Sequence, residues 1–357
     1  MIDISGIREI RKRINIENFS NIYGCYVSGG EILSQMNIPV LDLTAEEKDM
    51  YLKLFKKCIA GKQDRNLLDI QMQDSDNQKS LYALSRTGLK DENLRNILFE
   101  QILNNLETDK NYCILLTSET YDVKSKNVEE EWSEESENQF SYFLCGICPI
   151  KETKAELRYA SNSQEFRSNS TGNILSAPVL GFMYPAFVDR ASDIYSAVYY
   201  TSKESHEELI KGVFGVDAPK TADEQKELFN SALSDSLCED YTLDAAAAVY
   251  SNIIAAEENE SDFTIEELSE VLFSKNVPDD KISTLQETLG DDFSVNPENI
   301  APKKYEITTG ETVITTEPEN ALRIKTKEID GHTYILVPAS GEVKVNGVTV
   351  STEREPE

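Results

Sequence analysis

Residues 3–14, DISGIREIRKRI, place Ile7, Ile10 and Ile14 on one helical face and Arg8, Arg11 and Lys12 around the rest, the spacing of an amphipathic helix. Asn21 to Leu33 alternates instead and turns at Ser28-Gly29-Gly30, which predicts a β-hairpin. Thr44-Ala45-Glu46-Glu47 reads as a capping box opening a helix that runs to about Gly61 and turns Tyr51, Leu54, Phe55, Cys58 and Ile59 inward. A second helix is predicted from Asp91 to Leu106 on Leu94, Ile97, Leu98 and Ile102, followed by a short buried strand, Tyr112 to Leu116. The acidic run Glu129–Glu137 breaks the pattern and predicts a solvated loop, after which Phe140 to Ile150 resumes as a strand. Ser176 to Thr201, SAPVLGFMYPAFVDRASDIYSAVYYT, is dense in aromatics, carries two prolines, and reads as an ordered loop leading into a helix near Ala191.

From Thr221 helical signals dominate. Thr221-x-x-Glu224 and Thr264-x-x-Glu267 read as capping boxes, Thr242 leads into an alanine-rich helix, and Pro278 to Leu289 is a further short helix. Beyond Pro302, runs at Val313–Thr316, Leu322–Lys327, Tyr334–Val337 and Val343–Val350 predict a small antiparallel meander. Its expected turns are Asp330-Gly331, Ser340-Gly341 and Asn346-Gly347. The fold expected is therefore α+β: a mixed α/β domain over 1–218, an acidic helical subdomain over 219–300, an antiparallel β-meander over 301–351 and a disordered tail over 352–357.

Charge sharpens that division. The 357 residues carry a formal charge of −29. Residues 219–300 alone hold 20 Asp+Glu against 4 Lys. Such a balance opposes non-specific attraction to nucleic acid or anionic membrane. The only basic cluster is Arg8, Arg11, Lys12 and Arg13, diluted by Glu9 and Glu17. It reads either as a solvated helix face or as an anion or nucleic-acid contact. Thr264 to Leu289 has helix-turn-helix spacing, but its second helix carries Asp279, Asp280 and Glu287 against Lys281, a poor match to phosphates. No run approaches the ~20 apolar residues of a membrane span, and the first 14 residues lack the apolar centre of a signal peptide.

The cysteines Cys25, Cys58, Cys113, Cys145, Cys148 and Cys238 lie mostly in apolar stretches, as reduced buried thiols of a cytoplasmic protein would. The one CxxC, Cys145-Gly-Ile-Cys148, sits in the strand-like FSYFLCGICPIK. Residues three apart on a strand point to opposite faces, so the two sulfurs are expected to serve the core and not one metal. With only His206 and His332 in the chain, and no GxGxxG, GxxxxGK[ST] or HExxH, neither cofactor nor metal is expected. Four polar residues stand out beside apolar strands: Tyr121, Asp122, Asp189 and Arg190. On loops after strands they would line a binding site, or an enzyme site around Asp122, Asp189 and Arg190. Alternatively they form a structural Asp–Arg pair and cap the helix near Ala191, with Arg190 buried against Asp189, Asp193 or Asp122.

The segments Gly24-Cys25-Tyr26-Val27, Tyr121-Asp122-Val123, Phe140–Lys151, Ser176–Thr201 and Ile329–Val348 together resemble a bacterial, Firmicutes-type family, domain of unknown function number 4317. That resemblance runs nearly full length and implies no activity or site residues. The order of elements is also similar to that of the 37-kilodalton nucleoid-associated proteins, without a shared motif. The expectation is a non-enzymatic protein acting through a protein partner or through self-association, with nucleoid-associated DNA binding through a local basic face as the alternative.

Overall fold

The computed structural model describes residues 4–126, 132–153, 156–160, 164–169, 172–339 and 341–351, and the chain divides into two compact units, Met1–Thr221 and Ala222–Glu357. The fold is α+β.

In the first unit α1 (Ile4–Arg13) leads through a 3-10 turn at Ile16–Asn18 into the hairpin β1 (Asn21–Ser28) and β2 (Glu31–Pro39). Then follow α2 (Ala45–Lys57), β3 (Leu67–Gln71), α3 (Asp76–Arg86), α4 (Glu92–Asn105), β4 (Tyr112–Lys126) and β5 (Trp132–Thr153). Short strands β6 (Glu156–Ala160), β7 (Glu165–Asn169) and β8 (Gly172–Leu175) precede β9 (Leu180–Tyr184), β10 (Ala186–Val188), β11 (Ala191–Asp193) and β12 (Ser196–Thr201), and α5 (Glu207–Phe214) completes the unit. The main sheet runs β2-β1-β4-β5-β9-β12-β3, with β8 added to β5, and every pairing is antiparallel.

Alternation along the strands feeds two cores. Tyr112, Ile114 and Leu116 of β4 with Phe143, Cys145 and Ile147 of β5 face α3, α4 and α5. Cys113 and Leu115 with Phe140, Tyr142, Leu144 and Cys148 face α1 and α2. The sheet is thus covered on both faces. Cys145 and Cys148 lie in opposite cores, as their spacing requires. Burial pushes the thiols of Cys25, Cys58 and Cys113 up to about 12, and those of Cys145 and Cys148 are likewise raised, so all five stay protonated packing groups. Thr44 caps α2 through a reciprocal capping box with Glu47, a device worth about 1 kcal/mol.

Three expectations are corrected. The acidic run 129–137 is not a loop throughout: from Trp132 its backbone belongs to β5 and pairs with β4 as far as Lys126, while 129–131 lie outside the described residues. The Ser176–Thr201 segment contains no helix but β9 to β12. Asp189 and Arg190 both adopt left-handed backbone, φ 47° and 60°, and so form the two-residue turn between β10 and β11. Ile97, expected inside, is 47% exposed on α4.

The second unit packs α6 (Ala222–Leu237), α7 (Leu243–Glu258), α8 (Ile265–Ser274), α9 (Asp279–Leu289) and α10 (Pro297–Ile300) around Phe229, Leu233, Val249, Leu268 and Leu285. The two-residue strands β13 (Phe263–Thr264) and β14 (Ser294–Val295) pair beside them. Thr264 makes its capping box with Glu267. The helix-turn-helix spacing resolves as α9 burying Ile282 and Leu285 in this core.

The expected meander is instead three separate hairpins: β15 (Tyr305–Thr309) with β16 (Thr312–Thr316), β17 (Lys325–Ile329) with β18 (His332–Leu336), and β19 (Val343–Val345) with β20 (Val348–Val350). Asp330-Gly331 and Asn346-Gly347 form their turns with positive φ throughout, while Ser340 lies outside the described residues. Residues 322–323, expected in a strand, belong to a 3-10 helix, Pro318–Arg323.

Candidate interaction surfaces

Tyr121 and Asp122 lie within β4, not on a loop after it, and the structure separates them. Asp122 accepts a hydrogen bond from Gln139 Nε2 across the β4–β5 pair at 3.1 Å. Tyr121, on the opposite face, donates to Glu9 Oε1 on α1 at 2.6 Å. Arg190 also reaches Glu9, Nη1 to Oε2 at 2.8 Å, and Arg13 approaches Glu9 at 3.5 Å while lying 5.2 Å from the Tyr121 ring centroid. The sequence predicts Asp189, Asp193 or Asp122 as the carboxylate that holds Arg190. It is Glu9, 181 residues away, and no sequence signal marked it.

The Arg190 side chain is 37% exposed, not buried. Partial burial pushes the Glu9 carboxyl up, but hydrogen bonds from Tyr121 and Arg190 and the charges of Arg190 and Arg13 outweigh it and hold the group below the usual carboxylate range. This cluster ties α1 to β4 and to the β10–β11 turn, with the Tyr121 hydroxyl and an Arg190 guanidinium N–H both directed at the Glu9 carboxylate. A half-exposed pair of this kind is worth about 1 kcal/mol, so Arg190→Ala should cost roughly that. Arg190→Gly loses the same pair but relieves the left-handed φ, so it should melt above Arg190→Ala. Thermal melts of both variants check the order.

Of the basic cluster, Arg13 is committed to Glu9 and Tyr121, whereas Arg8, Arg11 and Lys12 are exposed. Arg11, Lys12 and Arg13 form the last turn of α1, where positive charge meets the negative end of the helix dipole.

Sequence reasoning missed a buried carboxylate, Glu119. Past Thr117, β4 pairs with β5 alone, because β1 ends its pairing at Ile22. The corner so opened is a cleft of about 480 Å3, walled by Ser20, Ser85, Thr87, Ser118, Thr120 and Ser141, with Arg86 and Lys90 beside them. Glu119 lies in its wall, 6% exposed. Asn18 Nδ2 donates to Oε1 at 2.5 Å and Tyr142 donates to Oε2 at 2.7 Å. Burial raises its carboxyl despite those donors. Both oxygens are engaged internally, so the group fastens the 3-10 turn to the sheet rather than presenting a base.

A raised folded-state value means that the folded protein binds its proton more readily than the unfolded chain does. The associated stability is present at low pH and is lost as pH rises from about 4.5 through the folded value. Glu119→Gln, which keeps the shape, should therefore gain melting temperature relative to wild type as pH rises from 4.5 toward neutrality. Paired melts across that range test the sign.

The clearest unsatisfied surface belongs to the second unit. Half of the large apolar side chains exposed among the described residues lie between Val313 and Val350. The register pairs Val343 with Val350 and Val345 with Val348, which puts four valines on one face of the β19–β20 hairpin. Val345 is 55% and Val348 67% exposed. Tyr334 and Leu336 of β18 are exposed as well.

Among the described residues no three His, Cys, Asp or Glu converge as a metal site, and no helix is long and apolar enough to cross a membrane. No curated protein matches the chain. The family model described as domain of unknown function DUF4317 matches residues 3–348, a span that covers most of both units and ends at Val348, two residues short of Val350. The chain belongs to the DUF4317 family.

Proposed function

We propose that this is a non-enzymatic, cytoplasmic protein that acts by self-association through its C-terminal hairpins. The four-valine face of β19–β20 carries the reading. A lone two-stranded hairpin is marginal in water, and here each hairpin pairs only with its own mate among the described residues, leaving outer edges open to a further strand.

Charge favours a second copy as the occupant. Two chains of −29 repel over most of their surfaces. Residues 301–351 hold 7 acidic against 6 basic side chains, so two copies can approach there with little repulsion. An isologous contact about a two-fold axis would bury both valine faces and extend both sheets at once. The buried, protonated thiols support a reducing compartment.

Sedimentation equilibrium of the intact chain, with nuclease-treated and untreated samples compared, tests the reading. A concentration-dependent mass near twice 40.2 kDa, unchanged by nuclease, is expected. A monomer at every concentration, or a larger species that nuclease removes, would contradict it, the latter in favour of nucleic-acid binding.

A further inference from the structure

The helix-turn-helix spacing of Thr264–Leu289 packs inward, yet it also leaves an outer face. Ile265, Leu268 and Leu272 recur at i, i+3 and i+7 and fill the core of the second unit. Phe273 falls one residue past that stripe, about 100° round the helix, and is 66% exposed. Among the described residues from 196 to 312 it is the one large apolar side chain left exposed. It stands over a groove of about 320 Å3 between α8 and α9, lined with Ser269, Glu270, Asp279, Ile282 and Ser283. The open surface of the groove is mostly apolar.

The groove is pre-formed. Gln286 of α9 donates from Nε2 to Ser269 Oγ at 3.1 Å, and Ser269 donates to the Ile265 carbonyl at 2.7 Å. Asn276 takes left-handed backbone, φ 62°, and Val277 donates its N–H to the Leu272 carbonyl at 3.2 Å, which fixes the turn between the helices. A groove held in this way loses little freedom when something enters it.

Its walls carry one sign of charge. Glu266, Glu270 and Phe273 share a stripe of α8 at i, i+4 and i+7, and Asp279 closes the groove from α9 with Asp280 next to it. Lys275 is bonded to Asp244 on α7 at 3.0 Å, which leaves Lys281 as the only other cation between Ile265 and Leu289. The surrounding segment 219–300 holds 20 acidic side chains against 4 Lys. Nucleic acid, an anionic membrane and a second copy of this groove would each meet repulsion here, whereas a cationic partner would be drawn in.

We propose that the α8–α9 groove docks a basic amphipathic helix of a partner protein. An apolar side chain of that helix would rest on Phe273 and Ile282, and its Lys or Arg residues, one turn away, would meet Glu266, Glu270 and Asp279. This is helix-in-groove recognition, with anchors at i, i+3 or i+4, and the acidic walls set its specificity and rate of encounter. The groove shares no residue with the β19–β20 face, so the proposal does not depend on self-association.

The test follows the fluorescence anisotropy of three labelled helical peptides as the full chain is added. One has leucine on one face and lysine on the other, one has the same composition with the leucines scattered, and one pairs leucine with glutamate. Saturable binding of the first, about tenfold weaker binding of the second and none of the third are expected. Phe273→Ala should weaken the first about tenfold, with little change in melting temperature or sedimentation mass. Glu270→Gln with Asp279→Asn should weaken it by a similar factor at low salt and less at high salt. Glu257→Gln with Glu258→Gln, exposed on α7, should leave it unchanged. No saturable binding by wild type, equal binding of the matched and scattered peptides, equal binding by Phe273→Ala, or an equal loss in the α7 pair would each overturn the proposal. So would a lower sedimentation mass for Phe273→Ala, which would assign the groove to a second copy.

Discussion

Gly181→Ala is expected to destabilise the first unit by about 3 kcal/mol or more, the upper end for overpacking a core. A Cβ there would sit 2.6 Å from the Cys145 carbonyl oxygen and 2.9 Å from Cys58 Sγ. The carbonyl belongs to the neighbouring strand β5 and cannot yield without breaking the ladder. Gly181 is in register with Gly146, whose own Cβ would lie 3.0 Å from the same sulfur. The pair forms a bare strip on the sheet, and Cys58 at the end of α2 is seated on it. Gly146→Ala should cost less, about 1–2 kcal/mol, because only the thiol obstructs it. A double-mutant cycle separates the two cases. Cys58→Ala should relieve Gly146→Ala and leave most of the Gly181→Ala cost in place, because the clash with the Cys145 carbonyl remains. Urea denaturation of the intact variants measures both couplings, and equal rescue of both alanines would show that the backbone contact is not the obstacle.

The second large effect concerns assembly. Val345→Glu with Val348→Glu, a directly paired set on the β19–β20 face, should weaken self-association by roughly a hundredfold or more, from the apolar burial of two valines. Two facing carboxylates per copy add repulsion between chains that are already acidic. The melting temperature should fall only slightly, because both side chains are largely exposed and lose only their cross-strand contact with each other, with a modest repulsion between the two new carboxylates. Leu41→Glu is the control: Leu41 is 88% exposed on the first unit and should leave the association unchanged. Sedimentation velocity of the three proteins gives the comparison.

How much of this was legible depended on how local its cause is. α1, the β1–β2 hairpin, α2 with its Thr44 box and the Asn346-Gly347 turn follow from residues within one or two turns of each other, and the sequence carries them plainly. The opposite placement of Cys145 and Cys148 follows from strand period alone. β3 and α3 escaped because Leu67–Gln71 is a short run among polar residues and α3 carries only a thin apolar stripe, Leu81 and Leu84. The four strands between Leu180 and Thr201 were hidden for another reason. Their turn is Asp189-Arg190, with no glycine to mark two left-handed residues in succession.

The candidate site was less readable than the fold. Tyr121 and Arg190 both bond to Glu9, a residue of the helix that the sequence marks for its basic side chains. Asp122 faces Gln139 instead, and Asp189 serves the turn. Glu119 looked like one polar residue in TSET, since its burial arises where β1 stops pairing and the cleft opens. The valine face needed the register of β19 and β20 before four alternating residues became one surface.

The most direct test of self-association through the hairpins is hydrogen–deuterium exchange of the intact chain at low and high protein concentration. Amides of Lys325–Leu336 and Val343–Val350 should gain protection as concentration rises, with the first unit unchanged. No concentration-dependent protection there, or protection confined to residues 4–221, would contradict the account.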